Sequence, residues 1–156
     1  MPPATLDTPL LFDNDVFTHW RNGHDYVKRH VAAYFSYHKQ YPALPSITAF
    51  EALKGFKRDS AGLLEPAQQD NFDRLQNLIQ TLDEVTFDTR AAQIAAEIFL
   101  SLKKQVGEKR IRNDLFIAAT ALANGLGVAT RNRDDFERIE SLVPTTRAPL
   151  YIAVWR

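Results

Sequence analysis

The strongest constraint on this chain is a spacing: short apolar runs recur with helix-length amphipathic segments between them. Leu10-Leu11-Phe12, Val85-Thr86-Phe87, Gly127–Thr130 and Leu150–Trp155 are each too short for a buried helix and suit strands. The predicted order is strand 9–13, helix 14–22 stopped by Gly23, helix 24–40, a break at 41–45, a two-residue strand at 46–47 and helix 48–57. A loop over 58–64 follows, then a helix opening at Pro66 with Phe72, Leu75, Leu78, Ile79 and Leu82 on its apolar face. Next come strand 85–87, a helix capped by Asp88 and running to 106, and a helix capped by Asn113 and ended by Gly125. Strand 127–130, helix 134–139 and strand 150–155 complete the chain. Strands separated by helices imply an α/β fold, with a mainly parallel sheet of four to five strands covered on both faces. One domain over 1–156 is expected, with residues 1–8 as a flexible tail.

Several function classes fall away early. No apolar run reaches the roughly 20 residues a membrane helix needs. The opening MPPATLDTP lacks the basic and apolar regions of a secretion signal. The absence of cysteine removes disulfides and zinc–thiolate sites, which suits a cytoplasmic protein. Nineteen basic residues balance nineteen acidic ones, so any nucleic-acid contact must rest on a local patch. Lys103, Lys104, Lys109, Arg110 and Arg112 form one within ten residues.

In open parallel sheets, ligands bind beyond the carboxyl ends of the strands. Asp13 stands at that end of the first strand, and Thr130, Asn132, Asp134 and Asp135 follow the strand GVAT. Each acid also has a plain local role. Asp13 and Asp15 can cap the first helix, Thr48–Glu51 reads as a capping box, and Asp114 follows the expected cap Asn113. Their common placement on one sheet edge points further. Carboxylates gathered there repel one another, and a divalent cation relieves that repulsion. Oxygen donors without Cys or His suit Mg²⁺ or Mn²⁺, and such ions serve phosphodiester and phosphomonoester chemistry.

At these residues the chain resembles the PIN-domain ribonucleases, especially the VapC-type toxins of prokaryotic toxin–antitoxin pairs. LFDNDV resembles the family's strand running into D-T-N-V, with Asn14 and Asp15 replacing the common Thr and Asn. SITAFEALKG, residues 46–55, resembles S-x-x-T-x-x-E-L-x-x-G. DLFIAATALANGLGVAT, residues 114–130, contains D-x-x-I-A-A, and TRNRDDF, residues 130–136, resembles T-R-N/D-x-x-D-F.

The resemblance implies a PIN-like three-layer α/β/α sandwich and metal-dependent hydrolysis of RNA, leaving 5′-phosphate and 3′-hydroxyl ends. It implies that Asp13, Glu51 and Asp114 hold Mg²⁺ or Mn²⁺. Asn132, Asp134 and Asp135 compete for the fourth acidic position; Asp135 is the choice for a catalytic role beside those three. Thr130, Asn132, Asp134 and Asn14 support the site, and one or two ions are both compatible with it. Arg110, Arg112 and Arg131 would contact RNA phosphates. The aromatic-rich second helix, with Tyr26, Tyr34, Phe35, Tyr37 and Tyr41, cannot bury every ring on one face and leaves a surface for an antitoxin protein. A homodimer is also implied. Two alternatives stay open: a HAD-like Mg-dependent phosphatase with Asp13 as nucleophile and Asp15 as acid/base, and a non-catalytic PIN scaffold whose acids are helix caps.

Overall fold

The computed structural model describes residues 5, 7–102 and 108–156, with backbone alone for 108–110. In chain order the elements are β1 (Leu10–Phe12), α1 (Asn14–Arg21), α2 (Asp25–His38), β2 (Leu44–Pro45), α3 (Ser46–Leu53), α4 (Pro66–Thr81), β3 (Glu84–Val85), α5 (Thr89–Ser101), α6 (Glu108–Ala123), β4 (Gly127–Thr130), α7 (Arg133–Ser141) and β5 (Ile152–Val154).

Successive side chains of a strand point to opposite faces, so a central strand must be apolar on both. Strand β1 meets that demand. Leu11 packs with Ile94, Ile98, Leu115 and Ile117, whereas Leu10 and Phe12 pack with Val16, Phe17, Val27 and Val31. Strand β4 repeats the division, with Val128 in the first core and Ala129 in the second. Helices α5, α6 and α7 supply one core and α1, α2 and α4 the other. Each fully buried ring or branched chain, such as Phe12 or Ile117, contributes about 1.5–3 kcal/mol.

β1 pairs parallel with β4, Leu10 opposite Gly127 and Phe12 opposite Ala129, and β4 pairs parallel with β5. On the other side of β1, Phe12 N donates to Ala43 O at 2.9 Å, and Ala43 N donates to Leu10 O at 2.9 Å. This single bridge brings β2 alongside, and β2 pairs parallel with β3. The spatial order is therefore β3-β2-β1-β4-β5, the expected mainly parallel sheet inside a three-layer sandwich. Since the pairings are parallel, the carboxyl ends of β1 and β4 share one edge.

Several boundaries differ from those predicted, each for a physical reason. The short strand lies at 44–45, not 46–47, and α3 begins at Ser46. Thr48 is thus inside the helix, where its buried hydroxyl donates to Phe12 O at 3.3 Å instead of closing a capping box. Strand β3 stops at Val85 because the Phe87 N–H turns to Ser46 Oγ at 3.1 Å. Asp88 caps α5 as expected, accepting from Ala91 N at 2.9 Å, but the helix ends at Ser101 rather than 106. Residues 103–107, with Lys103 and Lys104, lie outside the described residues, as do residues 1–4 and 6 of the expected tail. Helix α6 begins at Glu108, so Asn113 is no cap and Asp114 sits in the second turn. Helix α7 spans 133–141 rather than 134–139, and β5 is shorter than 150–155.

Helix α2 divides its aromatics as helical geometry requires. Tyr34 is buried and its Oη accepts the Leu10 N–H at 3.0 Å, while Phe35 and Tyr37 are exposed. No helix among the described residues is long and apolar enough to cross a membrane.

Gly127 shows how closely the sheet is assembled. A Cβ there would meet Tyr151 O at 2.9 Å and Leu10 Cδ2 at 3.0 Å. Backbone oxygen cannot retreat without disturbing the β4–β5 ladder. Gly127→Ala is expected to lower the unfolding free energy by about 1–3 kcal/mol in urea titration.

Candidate active site

Strand β1 ends by placing Asp13 at the start of α1. There Asp13 adopts an extended backbone, φ −75° and ψ 160°, as an N-cap requires. Its Oδ1 accepts from Asn14 N at 2.7 Å, and its Oδ2 accepts from Thr130 Oγ1 at 2.6 Å. The residue is only 3% exposed. Burial raises its pKa from 3.8 to about 6; the Thr130 and Asn14 hydrogen bonds oppose this shift, and the Asp15 charge adds to it. A carboxylate used only as a helix cap is ordinarily exposed and stabilised by its position. Asp13 is instead a buried charge whose two hydrogen bonds do not offset desolvation.

Thr130 extends the connection. Its oxygen accepts from Asn132 N at 2.9 Å while its proton goes to Asp13. Asn132, the N-cap of α7, turns its amide nitrogen to two carboxylates: Asp135 Oδ2 at 2.8 Å and Asp114 Oδ2 at 3.3 Å. One hydrogen-bonded network therefore runs Asp13–Thr130–Asn132 and forks to Asp114 and Asp135. It joins the ends of β1 and β4 to the second turn of α6 and the first turn of α7. Because α6 starts at Glu108, the helix-terminus explanation for Asp114 no longer applies. Asp135, a first-turn residue of α7, is buried.

The remaining predicted residues take varied positions. Glu51 on α3 receives Asn113 Nδ2 at 2.6 Å and pairs with Lys54 Nζ at 2.7 Å. It adjoins the network through Asn113, the neighbour of Asp114. Sequence reasoning gave Asn113 and Lys54 no part here. Lys54 carried a signal, standing three residues after Glu51 on one helix; Asn113 was hidden by the misplaced start of α6. Asp134 is exposed. Arg112 lies two residues before Asp114 on α6, hence on a different helix face, where it lines an apolar groove with Phe87, Phe99 and Phe116. Arg110, with Lys109, falls among the residues whose side chains lie outside the description. Arg131 stands beside Asn132 on a cleft of about 320 Å³ shared with Asp15, Tyr26 and Arg156.

Among the described residues, no three Asp, Glu or His side chains form a ready-made metal cage. The donor chemistry nevertheless fits a hard divalent ion. The network offers carboxylate and amide oxygens without a thiol or imidazole. Among the described residues, Asp13 is buried with no cation among the groups acting on it, and the neighbouring Asn14 Oδ1 is a buried acceptor without a hydrogen-bond partner.

With fold and site in place, comparison with known proteins defines the class. The PIN domain family model matches residues 10–142, and the chain belongs to that family. Among solved structures, the chain is similar to one in DNA-bound VapBC from Salmonella typhimurium, at 23% identity over 96% of this chain and 99% of that one, with a TM-score of 0.69. VapBC2 from Rickettsia felis, bound to a DNA fragment from its promoter, matches at 20% identity over 94% and 98%, TM-score 0.69. FitAcB from Neisseria gonorrhoeae matches at 22% over 92% and 96%, TM-score 0.64. These likenesses establish a shared fold. No curated protein matches the chain.

The raised pKa of Asp13 has a definite sign. Below about pH 3 the carboxyl is protonated whether folded or unfolded, and it costs nothing. As pH rises from 3.8 through about 6 the fold must ionise a buried acid, a loss of about 3 kcal/mol that is complete above about pH 7. Asp13→Asn removes that loss. In urea melts of metal-free protein, the variant's advantage over the wild type should be absent near pH 3 and grow to between about 1 and 3 kcal/mol at pH 7. An advantage independent of pH would show that Asp13 is not the titrating group.

Proposed function

We propose that this PIN-family chain is a metal-dependent endoribonuclease, the toxin of a type II toxin–antitoxin pair. The observation that carries it is the continuous network holding buried Asp13 with Asp114 and Asp135 on the carboxyl edge of a parallel sheet. That edge is where α/β sheets bind ligands. The family membership favours this function over a HAD-like phosphatase.

In this reading Asp13, Asp114 and Glu51 hold Mg²⁺ or Mn²⁺, with Asp135 as the further acid. When bound, such an ion offsets the charge of a phosphodiester and makes water a better nucleophile at neutral pH. The protein's own groups do the rest. Thr130 fixes the Asp13 carboxylate by a charge-assisted hydrogen bond. Asn132 spaces Asp114 from Asp135 and prevents either from swinging into solvent. Asn113 and Lys54 hold Glu51 at the rim. Asp13, with its pKa of about 6, becomes predominantly ionised by pH 7, so ion binding and activity rise as pH climbs through about 6 and level off above pH 7. Arg131 lies where it can meet a substrate phosphate.

The matched structures include VapBC and FitAB assemblies and a toxin–antitoxin complex from Klebsiella pneumoniae. By analogy we assign this chain an antitoxin partner, for which exposed Phe35 and Tyr37 of α2 and nearby Tyr41 provide apolar surface. A homodimer and a cytoplasmic location complete the proposal.

The test is incubation of purified protein with total RNA and Mn²⁺, with a chelator control and end sequencing of the fragments. Cleavage should require the ion and leave 5′-phosphates. Asp114→Asn should reduce cleavage by at least about 100-fold, the upper range for loss of an outer partner of a metal site. The same variant should keep or gain metal-free thermal stability. Persistent cleavage in Asp114→Asn would assign the acids to structure alone.

A further inference from the structure

The cleft beside the carboxylate network carries a second assembly, of which the proposed chemistry uses only Arg131 and Asn132. Its lining is Asp15, Tyr26, Arg131, Asn132 and Arg156, and its volume of about 320 Å³ suits one nucleotide. Asn132 belongs to both sites, donating to Asp114 and Asp135.

Arg131 is held in place rather than free. Its guanidinium lies 5.3 Å over the Tyr26 ring, and its Nη1 is 3.3 Å from His19 Nδ1. The same His19 nitrogen is 2.5 Å from Tyr26 Oη. One imidazole nitrogen facing two donors must be an unprotonated acceptor. Burial, His24 and Arg131 each push the His19 pKa down, in that order, which favours this neutral form. His24 stacks on His19 with ring centroids 4.3 Å apart and backs the arrangement. His19 and Tyr26 are thus positioning residues for Arg131. An arginine held over a ring has lost part of its rotamer freedom in advance, and its open face is flat enough to stack a base.

The charge pattern narrows the ligand. Two arginines favour a phosphate. The carboxylate of Asp15 disfavours a bare anion and favours one carrying hydrogen-bond donors, as ribose hydroxyls and base amino groups do. We propose that this cleft is the subsite for the nucleotide adjoining the cleaved bond, with Arg131 and Arg156 on its phosphate and Asp15 on its sugar or base donors. This subsite rests on the ribonuclease proposal above and adds a substrate-positioning role for Tyr26, His19, Asp15 and Arg156.

The experiment is fluorescence anisotropy with a labelled six-nucleotide RNA in excess chelator, so that binding is read without cleavage. Arg131→Ala should weaken binding about tenfold, with a smaller loss for Arg156→Ala. Each should lower the slope of log affinity against log salt by about 0.7, the value for one lost phosphate contact on a single strand. Arg131→Lys should restore the slope but only part of the affinity, because lysine cannot stack. Parallel cleavage assays with Mn²⁺ separate the two levels. Wild-type cleavage with unchanged RNA binding in both alanine variants overturns the subsite alone. Neither binding nor cleavage by the wild type overturns subsite and ribonuclease together. If a hexa-aspartate peptide binds in an Arg131-dependent way and RNA does not, the cleft is a protein contact and the subsite is overturned.

Discussion

The hydrogen bond from Thr130 to the buried carboxylate of Asp13 is the contact on which the rest of the structure turns. It ties the carboxyl ends of the two central strands together across 117 residues of sequence. It also keeps an acid where burial opposes its charge. Two hydrogen bonds soften that opposition and do not cancel it, since the pKa stays near 6. A fold selected only for stability would do better with an amide or an apolar group there. In the proposed reading, that carboxylate marks a place where stability is exchanged for chemistry.

The surrounding architecture serves that exchange. Parallel pairing puts the ends of β1 and β4 on one edge, and both faces of the sheet are sealed by independent apolar cores. The acids then arrive from rigid elements: Asp13 from a strand end, Asp114 from a helix interior and Asp135 from a helix start. Asn132 bridges the two helices with a single amide. Such a network limits side-chain freedom before any ligand binds, which is the condition for precise positioning of charge.

Much of this was legible in the chain. The unbroken apolar run Leu10-Leu11-Phe12 and the helix-length gaps between such runs revealed the layered sheet, and Asp13 and Thr130 followed from their places at strand ends. What sequence alone misplaced depended on contacts between distant segments. Thr48 and Glu51 satisfy a capping-box pattern, yet the Thr48 hydroxyl finds Phe12 O and Glu51 finds Asn113 and Lys54. Asn113 looks like a helix cap only until the helix is seen to begin five residues earlier. The Arg131–His19 contact joins residues 112 positions apart and has no local signature at all. Local patterns carried the element types and the strand ends; tertiary competition decided which polar partner each side chain took.

The central claim is that a divalent ion relieves the buried charge of Asp13, and titration calorimetry tests it most directly. Mn²⁺ binding would be measured at pH 6 and pH 8 in pairs of buffers with different ionisation heats. Near its pKa of about 6, Asp13 is half protonated, so binding at pH 6 should release about half a proton per ion, falling toward zero at pH 8. Asp13→Asn should abolish that release. Tight binding with no proton release at pH 6, or the same release from the asparagine variant, would contradict the account.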